Sequence, residues 1–149
     1  KLRCKLLSDV PINKVQEVAE KVKLNETIVE FIKENKDDSY IITGNIYEWI
    51  KPIIEKLDCK IFCSQGKFNN GKLSGLEKIV NKGEVIKGLR KSGESIISVG
   101  DGMGDVLMFE ESNVSIAFGG VHEPIETLLK VSNYLVYEES SLCRLLNTL

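Results

Sequence analysis

Ser95-Ile96-Ile97-Ser98-Val99-Gly100-Asp101-Gly102-Met103-Gly104-Asp105 joins an apolar run to an acidic, glycine-rich turn. Residues 95–99 form the cleanest buried strand in the sequence, a short apolar run without charge. Three glycines and two carboxylates follow it at once. Glycine lets the backbone wrap closely round a ligand. Taken alone, Asp101 and Asp105 read equally well as a turn residue and a helix N-cap.

On either side of this stretch, strands and helices alternate. Toward the N-terminus, a helix is predicted over residues 11–24, with Asn13 as candidate N-cap. A second amphipathic run carries Ile28, Val29, Phe31 and Ile32. Tyr40-Ile41-Ile42 is a strand running into Thr43-Gly44-Asn45. Residues 47–57 form a helix, with Pro52 near its first turn or at a kink. Residues 60–63 form a strand, Asn69-Asn70-Gly71 marks a hairpin, and residues 82–91 form a helix that ends near Gly93. Beyond the acidic stretch come a helix over 103–110, a strand over 114–118 and a helix over 124–130, with Pro124 near its first position. A strand over 134–137 and a closing helix over 140–149 complete the chain. This alternation argues for an α/β fold with a mainly parallel sheet covered on both faces. Ligands in such sheets bind at the carboxyl ends of strands.

The 149 residues are 42% hydrophobic, enough for a real core. Lys+Arg number 20 and Asp+Glu 22, and the signs are mixed along the chain, which argues against nucleic-acid binding. An anionic small substrate must therefore be met by a few local cations. No apolar run approaches the roughly 20 residues that span a bilayer, so no membrane partner is expected. Cys4, Cys59, Cys63 and Cys143 form no C-x-x-C pair and His122 is the sole histidine, which argues against zinc. The cysteines read as buried, reduced thiols of a cytoplasmic protein.

Three loops carry candidate chemistry. Thr43 and Gly44 put a hydroxyl and a glycine at a strand end. Asn81-Lys82-Gly83-Glu84 opens a helix with a lysine, against the dipole preference for anions there. Asp101 and Asp105 lie after the strongest strand. Together a hydroxyl, a lysine and carboxylate-held Mg²⁺ supply what a bound phosphate needs: donors, a cation and a hard metal.

In this order the three loops resemble the later motifs of the haloacid dehalogenase superfamily: Ile41-Ile42-Thr43, then Lys82, then Gly100-Asp101-Gly102-Met103-Gly104-Asp105. The likeness to the phosphoserine phosphatase branch covers almost the whole chain. Residues 6–15, Leu6-Leu7-Ser8-Asp9-Val10-Pro11-Ile12-Asn13-Lys14-Val15, and the helix after them look like its small helical cap. Gly71-Lys72-Leu73-Ser74-Gly75 is similar to its hairpin. The resemblance implies a Rossmann-like core of residues 25–149 and a partial cap of residues 1–24. It implies a magnesium-dependent phosphatase acting on a small phosphomonoester through an aspartyl-phosphate. Carried over, Thr43 bonds a phosphoryl oxygen, and Gly44 and Asn45 line the substrate beside it. Lys82 offsets charge on the nucleophile and phosphate. Asp101 binds Mg²⁺, and Asp105 orients the metal shell or Lys82. Arg3 aligns with a cap arginine that grips the substrate carboxylate, or is a surface residue.

Three departures qualify that reading. The family's first motif, D-x-D-x-T/V after a hydrophobic strand, is absent. Asp9 lacks a second aspartate two residues on and reads as a turn or capping residue. The central first strand of the sheet is thus missing from these residues. The expectation is a segment before Lys1 that carries it, with the 149 residues alone inactive. The sheet should then show a gap or a strand from elsewhere. Asn45 stands where phosphoserine phosphatases commonly have glycine, and Gly104 where they commonly have asparagine, so the phosphoserine pocket need not survive. His122 is either a substrate contact or, preferably, a residue at the start of a helix with no catalytic part. The alternatives to a phosphatase are a non-catalytic binder of a phosphorylated ligand or partner, and a phosphomutase.

Overall fold

The computed structural model describes residues 2–91, 93 and 95–149, without the side chains of Leu2 and Arg3. The chain divides into two compact units, residues 1–80 and 81–149.

The first unit contains α1 (Leu2–Leu7), α2 (Ile12–Glu20), α3 (Glu26–Glu34), β1 (Tyr40–Ile46), α4 (Tyr47–Ile54), β2 (Lys60–Asn69) and β3 (Lys72–Lys78). Its sheet runs β1-β2-β3, with β1 parallel to β2 and β2 antiparallel to β3. The hairpin between β2 and β3 turns at Asn70 and Gly71, which have φ of +48° and +73°. Two consecutive positive φ angles are what a two-residue turn needs to match strand twist. Trp49 of α4, Ile46 and Leu73 are buried together, with Leu7 of α1 and Ile12 and Val15 of α2 packed against them. Polar ties reinforce this. Gln16 donates to the Glu48 carbonyl at 2.6 Å and Lys56 to the Glu20 carbonyl at 2.7 Å. Asp9 lies in the turn between α1 and α2.

The second unit contains α5 (Lys82–Arg90), β4 (Ile97–Gly100), a single 3₁₀ turn (Met103–Asp105), α6 (Val106–Glu111), β5 (Val114–Phe118), α7 (Glu126–Leu129), β6 (Tyr134–Val136) and α8 (Glu139–Leu146). Its sheet runs β4-β5-β6, all parallel. Ile116 and Ala117 at its centre are fully buried. Buried Ser115 is satisfied by the Val131 carbonyl at 2.8 Å and the Asn133 side chain at 3.0 Å. Buried Ser98 pairs with the Ser112 hydroxyl. Such pairing removes most of the penalty for burying a hydroxyl among apolar strands.

The described strands therefore make two three-stranded sheets. β1 ends one and β4 ends the other, each with a single described strand beside it. Several boundaries differ from expectation. Asn13 does not cap α2; Pro11 does, because its φ of −58° and ψ of 140° already place it in the extended region that precedes a helix. Pro124 precedes α7 by two residues, and Ile125 is the cap. Pro52 sits inside α4, at its sixth residue. β2 runs ten residues instead of four, because its hairpin arm alternates polar and half-buried positions that an apolar run does not reveal. The four cysteines form no disulfide among the described residues and are half-buried, not fully buried. No helix among the described residues is long and apolar enough to cross a membrane.

Candidate functional site

β1 pairs with β2 in register from Tyr40 to Thr43, then resumes only at Ile46 opposite Ser64. Gly44 and Asn45 have no place in the ladder, so the chain bulges out at the carboxyl end of the paired segment. In the bulge the Thr43 hydroxyl oxygen accepts from the Asn45 backbone N–H at 3.2 Å and from the Asn45 side-chain amide at 3.1 Å. A hydroxyl oxygen has two lone pairs and one proton. With both lone pairs engaged, the Thr43 O–H acts outward as a donor only. That is the polarity a phosphoryl oxygen requires.

At the end of β4, Asp105 organises the acidic loop. It is 5% exposed. One carboxylate oxygen takes the Lys82 ammonium at 2.5 Å, and the other takes the backbone N–H groups of Asp101 and Gly102, each at 3.1 Å. Gly100 makes room for this. A Cβ there would stand 2.6 Å from the Asp105 Cβ and Cγ. The lysine that opens α5 against the helix dipole is thus neutralised from outside the helix. Asn81 caps that helix by accepting from the Glu84 N–H at 3.3 Å, and Gly83 lets α5 approach the Leu107 carbonyl closely.

Asp101 faces outward. Its side chain is 42% exposed, and the His122 Nε2 lies 3.0 Å from its carboxylate. Two of the candidate residues therefore form one group with Asp105 at the head of the second sheet, namely Lys82 and Asp101. Thr43, Gly44 and Asn45 form another within the first unit. The Arg3 side chain lies outside the described residues. The sequence did not disclose the role of Asn45 as a double donor or the His122–Asp101 pair.

The donor chemistry suits Mg²⁺. Among the described residues no group of three or more His, Cys, Asp or Glu side chains is placed to hold a metal ion. Mg²⁺ needs no such cage, since it keeps several waters and takes one or two carboxylates. Asp101 offers one hard oxygen ligand, whereas Asp105 is fully engaged and cannot be a second. Cys59 and Cys63 are no substitute nucleophiles. Burial, then the charge of Asp58, pushes Cys59 up. Burial, then Glu48, pushes Cys63 up against an opposing pull from Lys78. Both therefore stay protonated and weakly nucleophilic at neutral pH.

No family model matches the chain. The phosphoserine phosphatase of Methanocaldococcus jannaschii is 32% identical over 129 residues, a match that spans 78% of this chain but only 61% of that protein. A solved phosphoserine phosphatase with substrate bound is 28% identical with a TM-score of 0.79, over 99% of this chain and 74% of that one. Its fold is that of the haloacid dehalogenase superfamily. Within it the likeness is to the phosphoserine phosphatase branch. A phospho-aspartyl intermediate analogue of a phosphoserine phosphatase is 26% identical with a TM-score of 0.74, over 91% of this chain and 69% of that one. The α/β core with parallel strands is the haloacid dehalogenase fold.

Proposed function

We propose that this haloacid dehalogenase chain carries the phosphate- and metal-binding part of a Mg²⁺-dependent phosphomonoesterase. The observation that supports this most is the state of Asp105. By engaging Lys82 and two loop amides it leaves Asp101 as the outward carboxylate on a loop shaped by glycine. In this reading Asp101 holds Mg²⁺, which neutralises phosphate charge. Thr43 donates its O–H to a phosphoryl oxygen, with Gly44 leaving the backbone open beside it and Asn45 fixing the hydroxyl's direction. Lys82 places positive charge near the transferring group, and Asp105 holds Lys82 in position. Arg3, in a cap comprising residues 1–24, contacts the far end of the substrate.

The reaction proceeds in two displacements. An aspartate oxygen attacks phosphorus, the ester P–O bond breaks, and the alcohol leaves with a proton from an acidic group. Water then attacks the aspartyl-phosphate and frees inorganic phosphate. The attacking aspartate needs the D-x-D setting that no part of these 149 residues contains, so we place it outside them. Among the described residues, the free edge of β1, or that of β4, is open to a further strand.

The substrate is tested by phosphate release from phosphoserine and from a panel of other phosphomonoesters, using the full-length protein. Asn45 stands where phosphoserine phosphatases commonly have glycine, and its amide bonds the Thr43 hydroxyl. The expected result is therefore turnover of several phosphomonoesters without exclusive use of phosphoserine. Strong activity confined to phosphoserine would contradict a changed pocket. Binding of phosphate without release of any product would favour a non-catalytic binder, and transfer of phosphate within a sugar phosphate a mutase.

A further inference from the structure

His122 stands four residues past β5, in a loop that its neighbours hold firmly. A Cβ at Gly119 would lie 2.4 Å from the Tyr137 ring, and one at Gly120 2.3 Å from the Phe118 ring. Tyr137 also donates to the Glu123 carboxylate at 2.7 Å. The imidazole held by this loop has an oxygen acceptor at each nitrogen. Nδ1 is 3.1 Å from the Glu123 carbonyl oxygen and Nε2 is 3.0 Å from the Asp101 carboxylate. A neutral imidazole has one N–H. With Nδ1–H on the carbonyl, Nε2 and the Asp101 carboxylate oxygen stand 3.0 Å apart as two donor atoms that can share one cation.

We propose that His122 is a nitrogen ligand that joins Asp101 on the divalent cation and tilts the site from Mg²⁺ toward Mn²⁺ or Co²⁺. The inference rests on the assignment of a metal to Asp101. Three features carry it. Adjacent ligands of an octahedral ion with bonds of about 2.1 Å lie roughly 3 Å apart, which matches the separation of Nε2 and the carboxylate oxygen. A metal-bound histidine characteristically donates its other N–H to a carbonyl or carboxylate, as Nδ1 is placed to do. Both side chains are open to an ion arriving from solvent, with His122 54% and Asp101 42% exposed. Imidazole nitrogen is a poor ligand for Mg²⁺ and a good one for later divalent metals.

The test is Mn²⁺ binding to the full-length protein, followed by electron paramagnetic resonance, with Mg²⁺ competing. Pulsed measurements on bound Mn²⁺ should show coupling to a directly bound nitrogen. His122→Gln should remove that coupling and weaken Mn²⁺ binding about tenfold, while Mg²⁺ affinity changes less than about threefold. Circular dichroism confirms that this exposed substitution leaves the fold intact. Asp101→Asn should weaken both ions. Mn²⁺ bound without nitrogen coupling, or bound equally well by His122→Gln, overturns the role of His122 and leaves Asp101 as metal ligand. Absence of any divalent binding, or its survival in Asp101→Asn, overturns the metal assignment itself and the inference with it.

Discussion

Asp105→Ala should lower the stability of the protein by about 3 kcal/mol and, in the proposed reading, remove phosphate release. The substitution leaves Lys82, whose side chain is 21% exposed, without its carboxylate. It also leaves the Asp101 and Gly102 N–H groups without an acceptor. Removing one member of a buried pair costs roughly 3–5 kcal/mol, and the lower end applies because Lys82 can reach water along its flexible stem. Asp105→Asn keeps an oxygen for the amides and should lose about half as much. Urea denaturation of both variants measures this. A loss below about 1 kcal/mol for Asp105→Ala would mean that the loop is held by something other than Asp105.

Lys82→Met inverts the balance between stability and activity. Methionine keeps much of the aliphatic stem, and Asp105 retains two backbone donors for its charge. The stability loss should therefore be smaller, about 1–2 kcal/mol. The rate should fall by roughly 10²–10³ or more, the usual loss when a charge-stabilising donor is removed from a transition state. If Lys82 serves only to neutralise Asp105, the double variant Lys82→Met/Asp105→Asn should recover both stability and rate relative to Lys82→Met. If Lys82 acts on the phosphate, as proposed, the double variant recovers stability alone. A thermodynamic cycle on the two positions separates these outcomes.

The sequence makes some of this legible and hides the rest for physical reasons. The hairpin is legible because Asn70-Gly71 is among the few pairs that tolerate two positive φ angles. Strand β5 is legible to the residue, since Val114–Phe118 is apolar but for Ser115 and lies between Asn113 and Gly119. The helix expected from residue 103 begins instead as a 3₁₀ turn. Asp105 turns its carboxylate back to the Asp101 and Gly102 amides, and that contact tightens the first turn. The acidic loop itself stands out from composition and position. The division of labour inside it does not, because Asp101 and Asp105 are the same residue type. Burial and partners separate them, and these depend on α5 bringing Lys82 to the loop. Asn45 and His122 are harder still to read. Each acts through a contact that exists only once its loop has folded, Asn45 onto a hydroxyl two residues back and His122 onto a carboxylate from another strand end.

In the proposed reading Asp101 holds the metal on which phosphate transfer depends. Phosphate release by the full-length protein, measured with Mg²⁺, with chelator and in the Asp101→Ala variant, tests it most directly. Release is expected with Mg²⁺ and none in either of the other two cases. Turnover that survives the chelator and is unchanged in Asp101→Ala would contradict it.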